Sequence, residues 1–201
     1  MRQVFEYLSR NHVQQDFEHL LVAQFNIRRQ FSILINNEIE NAKKGKEAII
    51  TIKLNSLEDE KMIKKLYRAS TEGVKVNIIV RGICKLIPGI KGLSENINCV
   101  SIIDRYLEHA RFFIFHNNGD EIIYAGSADW MKRNLSRRIE VAFPIYDKDI
   151  KKKIKDIVNL QLNDNVKARV IDKTNKNIYK TNTEGKIRSQ YATFEYLKST
   201  D

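Results

Sequence analysis

A chain of 201 residues can bury one self-sufficient core, and 42% apolar residues with nine Phe and eight Tyr exclude a disordered polypeptide. No apolar run approaches the roughly 18 residues of a membrane span, and the amino terminus lacks the apolar core of a secretion signal, so a cytoplasmic protein is expected. A net charge of +10 favours a polyanionic partner (nucleic acid, an anionic membrane surface met peripherally, or a phosphate polymer) over neutral ligands, though a basic solvated surface carries the same signature.

Cys84 and Cys99 lack metal-like spacing and read as buried reduced thiols. The first 25 residues suggest a lead-in helix, a polar loop and a short strand ending in Leu21-Val22-Ala23, with the abrupt start of a chain that begins inside a larger protein. From Asn26 an amphipathic helix follows, with Ile27, Phe31, Leu34, Ile35, Ile39 and Ala42 on one face and Gly45 as its stop. Residues 48–54 predict a strand. Ser56 and Asp59 then suggest a capping box opening a helix through Ile63, Leu66 and Tyr67, closed by Gly73. Residues 74–80 are a second β-branched run, completing a βαβ unit with parallel strands. Ligands of open α/β sheets sit beyond the carboxyl ends of such strands, where Arg81-Gly82 falls.

After a Pro88-Gly89 turn, strands are predicted at 99–103, 111–115 and 122–125, the last two joined as a hairpin through Asn117-Asn118-Gly119-Asp120. A further strand is expected at 138–145. Ile150, Ile154, Ile157 and Val158 then form the stripe of another helix whose lysines, Lys151, Lys152, Lys153 and Lys155, make a solvated face. The tail predicts one short strand, an Asn/Lys/Thr-rich loop and a closing helix over 190–197. The whole is one α/β domain with a mixed sheet flanked by helices.

Two segments carry chemistry. Arg81 ends a buried parallel strand, a costly place for a cation unless an anion meets it. Its planar fork suits phosphate oxygens, but on this segment alone a structural salt bridge to a carboxylate ranks slightly ahead. The second segment is Leu107-Glu108-His109-Ala110-Arg111, followed by Gly126-Ser127-Ala128-Asp129-Trp130. Strand alternation puts His109 and Arg111 on one side. An imidazole can attack phosphorus or carry a proton near neutral pH, an arginine can neutralise the transferring group, and a Ser127 hydroxyl with turn amides can hold a phosphate oxygen. This is the logic of the phospholipase D motif, His-x-Lys-x4-Asp followed by Gly-Ser. Here Arg111 replaces the Lys and His116 stands where the Asp would be. His12, His19 and His116 have no comparable company, and Trp130 with Lys132-Arg133 is expected to pack and cap the turn.

Together with Leu21-Val22-Ala23-Gln24-Phe25-Asn26, Lys53-Leu54-Asn55-Ser56-Leu57-Glu58-Asp59, Ile79-Val80-Arg81-Gly82-Ile83-Cys84 and Arg138-Ile139-Glu140-Val141, these segments resemble the family-1 polyphosphate kinases, in one register from Leu20 to Asp172. The resemblance implies a phospholipase D-like fold forming one half of a duplicated catalytic core. It also implies reversible transfer of the ATP γ-phosphate to inorganic polyphosphate through a phosphohistidine on an upstream half. On it, residues 1–15 are the tail end of the preceding domain and 16–201 the C-terminal domain. Arg81 and His109 fall on the family's ATP-contacting positions, giving His109 as catalytic residue and Arg81, His109, Arg111 and Ser127 as ATP- or phosphate-binding residues. Magnesium is implied, with ligands mostly outside this chain, as are a homo-oligomeric parent and partners that include its remaining domains, but no nucleic acid. The chain is then inactive alone. Two rivals are a phospholipase D-like phosphodiesterase completed by homodimerisation and a pure polyanion-binding module.

Overall fold

The structure is a computed structural model that describes residues 1–9, 16–174, 176–181 and 185–200. Helix α1 (Arg2–Ser9) and strand β1 (Leu21–Val22) lead into helix α2 (Ile27–Lys43). Strand β2 (Ile49–Leu54), helix α3 (Glu60–Thr71) and strand β3 (Lys75–Val80) form the βαβ unit, and β4 (Ile97–Ile102) extends it. Strands β5 (Arg111–Phe115) and β6 (Ile122–Gly126), helix α4 (Lys132–Ser136), strand β7 (Val141–Ile145), helix α5 (Lys148–Leu162), strand β8 (Ala168–Val170) and helix α6 (Ser189–Thr200) complete the order.

All eight strands form one sheet in the order β1-β7-β6-β5-β2-β3-β4-β8. The β2–β3 and β3–β4 pairs are parallel and the others antiparallel. Strand alternation divides the core between the two faces. On one face Ile50, Ile52, Leu54, Val76, Ile78, Phe113 and Phe115 pack against Phe31 and Ile35 of α2 and Met62 and Leu66 of α3. On the other, Ile79, Val100, Ile102, Ile114 and Ile123 pack against Ile154 and Val158 of α5. Trp130 is fully buried beneath the first face, stacked at 5.7 Å on Phe113 and 5.5 Å from Phe31. Val4 of α1 is buried with Phe17 and Val22, so the lead-in helix packs on this sheet edge.

The hairpin falls at the predicted place. Asn117, Asn118 and Gly119 take φ of 47°, 55° and 93°, a run of left-handed residues that Asn and Gly accommodate best. Four local expectations change. The α3 cap is Asp59 alone, whose side chain accepts from the Met62 N–H, whereas the Ser56 N–H donates to Asp129. The strand expected from 138 begins at Val141, because the 137 and 138 carbonyls accept from Gln24 Nε2 (2.7 and 3.4 Å) and Glu140 turns inward. Residues 132–136, expected only to cap a turn, form the short helix α4. Ile150 of the predicted α5 stripe is exposed, while Lys151 and Lys155 reach back to Glu121. The polar loop before β1 and the loop before α6 lie partly outside the described residues.

The mixed sheet brings one set of ends together. The carboxyl ends of β2, β3, β4 and β6 and the amino ends of β5 and β7 share an edge. The connecting segments 55–59, 81–87, 103–110 and 127–140 all emerge there.

Candidate active site

Arg81 stands one residue past β3. Its Nε donates to Asn55 Oδ1 at 3.0 Å, and among the described residues no carboxylate pairs with it. The salt bridge that its position suggested is therefore absent there: its side-chain partner is an amide. Asn55, buried at the end of β2, passes the contact on, since its Nδ2 lies 3.4 Å from Asp129 Oδ1 and its backbone N–H donates to the same oxygen at 2.8 Å.

Asp129 gathers the site. Arg111 Nε donates to its Oδ1 and Nη2 to its Oδ2, each at 3.1 Å, a fork-to-fork pair with both side chains 10% exposed. The other side of the same guanidinium faces His109. Nη1 donates to the His109 carbonyl at 2.9 Å, and the two ring nitrogens lie 3.2 and 3.3 Å from Nη1 and Nη2. His109 itself is exposed at the sheet edge. The expected juxtaposition of His109 and Arg111 is present, and Arg81 joins it through Asn55 and Asp129.

Ser127 follows β6 at the same edge. Its hydroxyl donates to Glu140 Oε2 at 2.5 Å and accepts from the Val141 N–H at 3.2 Å, while its own N–H donates to the Val141 carbonyl at 3.0 Å. Glu140 is buried and also accepts from Asn134 Nδ2 at 2.6 Å. Both Ser127 donors are thus engaged inside the protein, and a phosphate oxygen there would have to displace Glu140. Gly126 is needed for this closeness: a Cβ would lie 2.7 Å from the Val141 carbonyl oxygen. A cleft of about 460 Å³ opens beside Arg111 and Ser127, floored by Phe112, Val141 and Phe143.

His116 lies at the far end of β5, beside Glu47 and the buried Glu38, well away from this edge, and His19 contacts Tyr146. Cys99 is buried and Cys84 half-buried, both as free thiols. Asp129 belongs to the Gly-Ser segment but carries no role of its own in the sequence reading, and Asn55 and Glu140 carry none; their signal is a short polar residue ending an apolar strand and acids flanking the Gly-Ser turn. Among the described residues no group of three His, Cys, Asp or Glu side chains is placed to hold a metal ion. No described helix is long and apolar enough to cross a membrane.

The model of the family described as polyphosphate kinase C-terminal domain 2 matches residues 20–190. The polyphosphate kinase of Vibrio parahaemolyticus is 50% identical over 200 residues, which are 99% of this chain but 29% of that protein; the chain therefore spans under a third of its relative. The crystal structure of polyphosphate kinase from Porphyromonas gingivalis superposes with a TM-score of 0.94 at 43% identity, over 99% of this chain and 31% of that one. Nuc from Salmonella typhimurium, a phospholipase D family member, shares the fold at TM-score 0.53 and 17% identity, over 76% of this chain and 97% of its own. A match running from the residue before β1 to the first turn of α6 takes in Arg81, His109, Arg111 and Ser127 alike, and the chain belongs to the polyphosphate kinase C-terminal domain 2 family.

Proposed function

We propose that this chain is the ATP- and phosphate-contacting half of the catalytic core of an enzyme that transfers the γ-phosphate of ATP reversibly to inorganic polyphosphate. The observation that carries the reading is the continuous chain of contacts Arg81–Asn55–Asp129–Arg111–His109 at the carboxyl edge of the sheet, in a chain 50% identical to a polyphosphate kinase. In this reading the phosphohistidine resides on an upstream half that faces this edge. His109 contacts the transferring phosphoryl group or its proton, and Arg81 binds the charge that spreads over its oxygens. Ser127 contributes only where Glu140 yields. Magnesium bound by upstream residues would neutralise further phosphate charge. The parent acts in the cytoplasm, with peripheral membrane contact, as a homo-oligomer.

The test joins the upstream part of the Vibrio parahaemolyticus enzyme to this chain and follows polyphosphate synthesis from ATP. Arg81→Ala and His109→Ala should each lower synthesis by about 100-fold or more while the melting temperature holds. Near-normal synthesis in both overturns the residue assignment. The 201-residue chain alone should turn over no ATP. Phosphodiester cleavage by a dimer of the chain, lost in His109→Ala, would replace the kinase reading with a phosphodiesterase.

A further inference from the structure

His109 is carried by a connection, 103–110, that contains no helix or strand and shows little apolar anchoring. Ile103, Tyr106 and Leu107 are 68%, 62% and 72% exposed. A histidine on such a segment would wander over several ångströms unless polar contacts held it, and misplacement by about 1 Å costs about 100-fold in rate. Besides Arg111, which donates to the His109 carbonyl, the contacts that hold the segment converge on Glu108, the residue immediately before it. Glu108 Oε2 accepts from Lys53 Nζ at 2.6 Å and from Gln161 Nε2 at 3.0 Å, and its Oε1 accepts from Gln190 Nε2 at 3.2 Å. Lys53 also donates to Gln161 Oε1 at 2.8 Å. Gln190 brackets the Tyr106 peptide, accepting from its N–H at 2.9 Å and donating to its carbonyl at 2.8 Å.

These three anchors are buried and come from β2, α5 and α6, elements remote from one another in sequence. A second tie holds the start of the connection, where Arg188 pairs with Asp104 at 2.6 and 2.8 Å. Burying the Lys53 ammonium is costly, and its affinity for protons falls below the ordinary lysine value through burial, partly offset by Glu108 and deepened by Arg81. An apolar residue at 53 would pack β2 against α5 without that cost. What an apolar residue would lack is a fixed grip on the residue before His109.

We infer that Lys53, Gln161 and Gln190 are positioning residues that act on His109 through Glu108, making the carboxy-terminal helix α6 part of the phosphate-transfer apparatus. The inference rests on the functional reading above for its catalytic consequence, and on the geometry alone for the anchoring.

The experiment uses the same chimera with Gln190→Met, which keeps the volume and removes the hydrogen bonds. The kcat for polyphosphate synthesis should fall about 10- to 100-fold with the KM for ATP within about twofold of normal, because geometry rather than binding is disturbed. Amide exchange should quicken in 103–110 and stay unchanged in β5 and β6. Normal kcat in a folded Gln190→Met protein overturns the inference, as does unchanged exchange in 103–110. Should Gln190→Met fail to fold, Gln161→Met cuts the same carboxylate from the other helix and is read by the same two outcomes. An unmutated chimera that makes no polymer would refute the functional reading instead. The exchange measurement then decides the anchoring alone, quickening supporting it and constancy refuting it.

Discussion

Replacing Asp129 tests how much the fold depends on a residue that the site itself uses. Asp129 is 7% exposed and accepts from the Asn55 and Ser56 backbone amides, the Asn55 side chain and both arms of Arg111. Asp129→Ala leaves the 10%-exposed Arg111 guanidinium without its counter-charge, a loss of about 3–5 kcal/mol for a buried pair broken on one side. Two backbone N–H groups lose their acceptor as well, at about 1 kcal/mol or more each where water cannot replace it. Water reaches part of this open edge, so a total of about 4 kcal/mol is expected. With a urea slope of about 2 kcal/mol/M, the midpoint should fall by about 2 M. Asp129→Asn keeps one oxygen for the amides and loses the charge, and should fall about halfway. The assay is urea unfolding of the 201-residue chain followed by Trp130 fluorescence. A midpoint within about 0.3 M of the parent for Asp129→Ala, against a slope of about 2 kcal/mol/M, would refute the reasoning, since the pair would then contribute almost nothing.

Two further perturbations probe the same edge. Gly126→Ala places a Cβ 2.7 Å from the Val141 carbonyl oxygen and 2.9 Å from Ala142 Cα, so β6 and β7 must separate; a loss of about 1–3 kcal/mol and a melting point lower by about 3–10 °C are expected by thermal melting. Asp104 is held below the usual carboxylate range chiefly by its hydrogen bonds to Arg188, and its side chain is nearly inaccessible in the pair. A depressed carboxylate contributes stability above its unfolded value near pH 3.9, and that contribution disappears as pH falls through the lower folded value. Asp104→Asn should therefore be less stable than the parent at pH 7 and approach it at about pH 2–3 in urea titrations. An equal gap at both pH values would break the assignment.

The sequence was most informative where a residue's neighbours in the chain decide its environment. The α2 stripe from Ile27 to Ile39 is periodic enough to fix both the helix and the face it buries, and His109 and Arg111 meet as neighbours in the chain, although His109 precedes β5 and Arg111 reaches back to its carbonyl. It was least informative where the partner comes from elsewhere. Asp129 lies 18 residues from Arg111, and only the β5–β6 hairpin brings them together. Arg81 was compatible with either a carboxylate or an anionic ligand, because nothing local distinguishes the amide it actually meets. Lys53 alternates with Ile52 and Leu54 and so faces the other side of β2, where Gln161 of α5 meets it, a partner that its chain neighbours do not reveal. The strand start at 138–140 failed for the same reason, since the inward turn of Glu140 answers Ser127 and Asn134 rather than a strand neighbour.

The distribution of counter-charge divides the work among the cations at this edge. Arg111 is met by Asp129 through two hydrogen bonds, so most of its charge is answered within the protein, and its Nη1 donates to the His109 carbonyl. Among the described residues the Arg81 guanidinium is met by the neutral oxygen of Asn55 and no carboxylate, so its charge remains available to an incoming anion. In the proposed reading a phosphate oxygen approaching this edge is drawn to Arg81, while Arg111 holds the His109 carbonyl beside it. Asn55 suits the bridging position because an amide can accept from one arginine and donate toward the aspartate that holds the other. An aspartate at 55 would neutralise Arg81 and repel Asp129, so Asn55→Asp should weaken phosphate binding more than Asn55→Ala does. Binding of a polyphosphate chain, compared at one ionic strength, distinguishes the two, and the reverse order would show that Arg81 is not the cation that receives the phosphate.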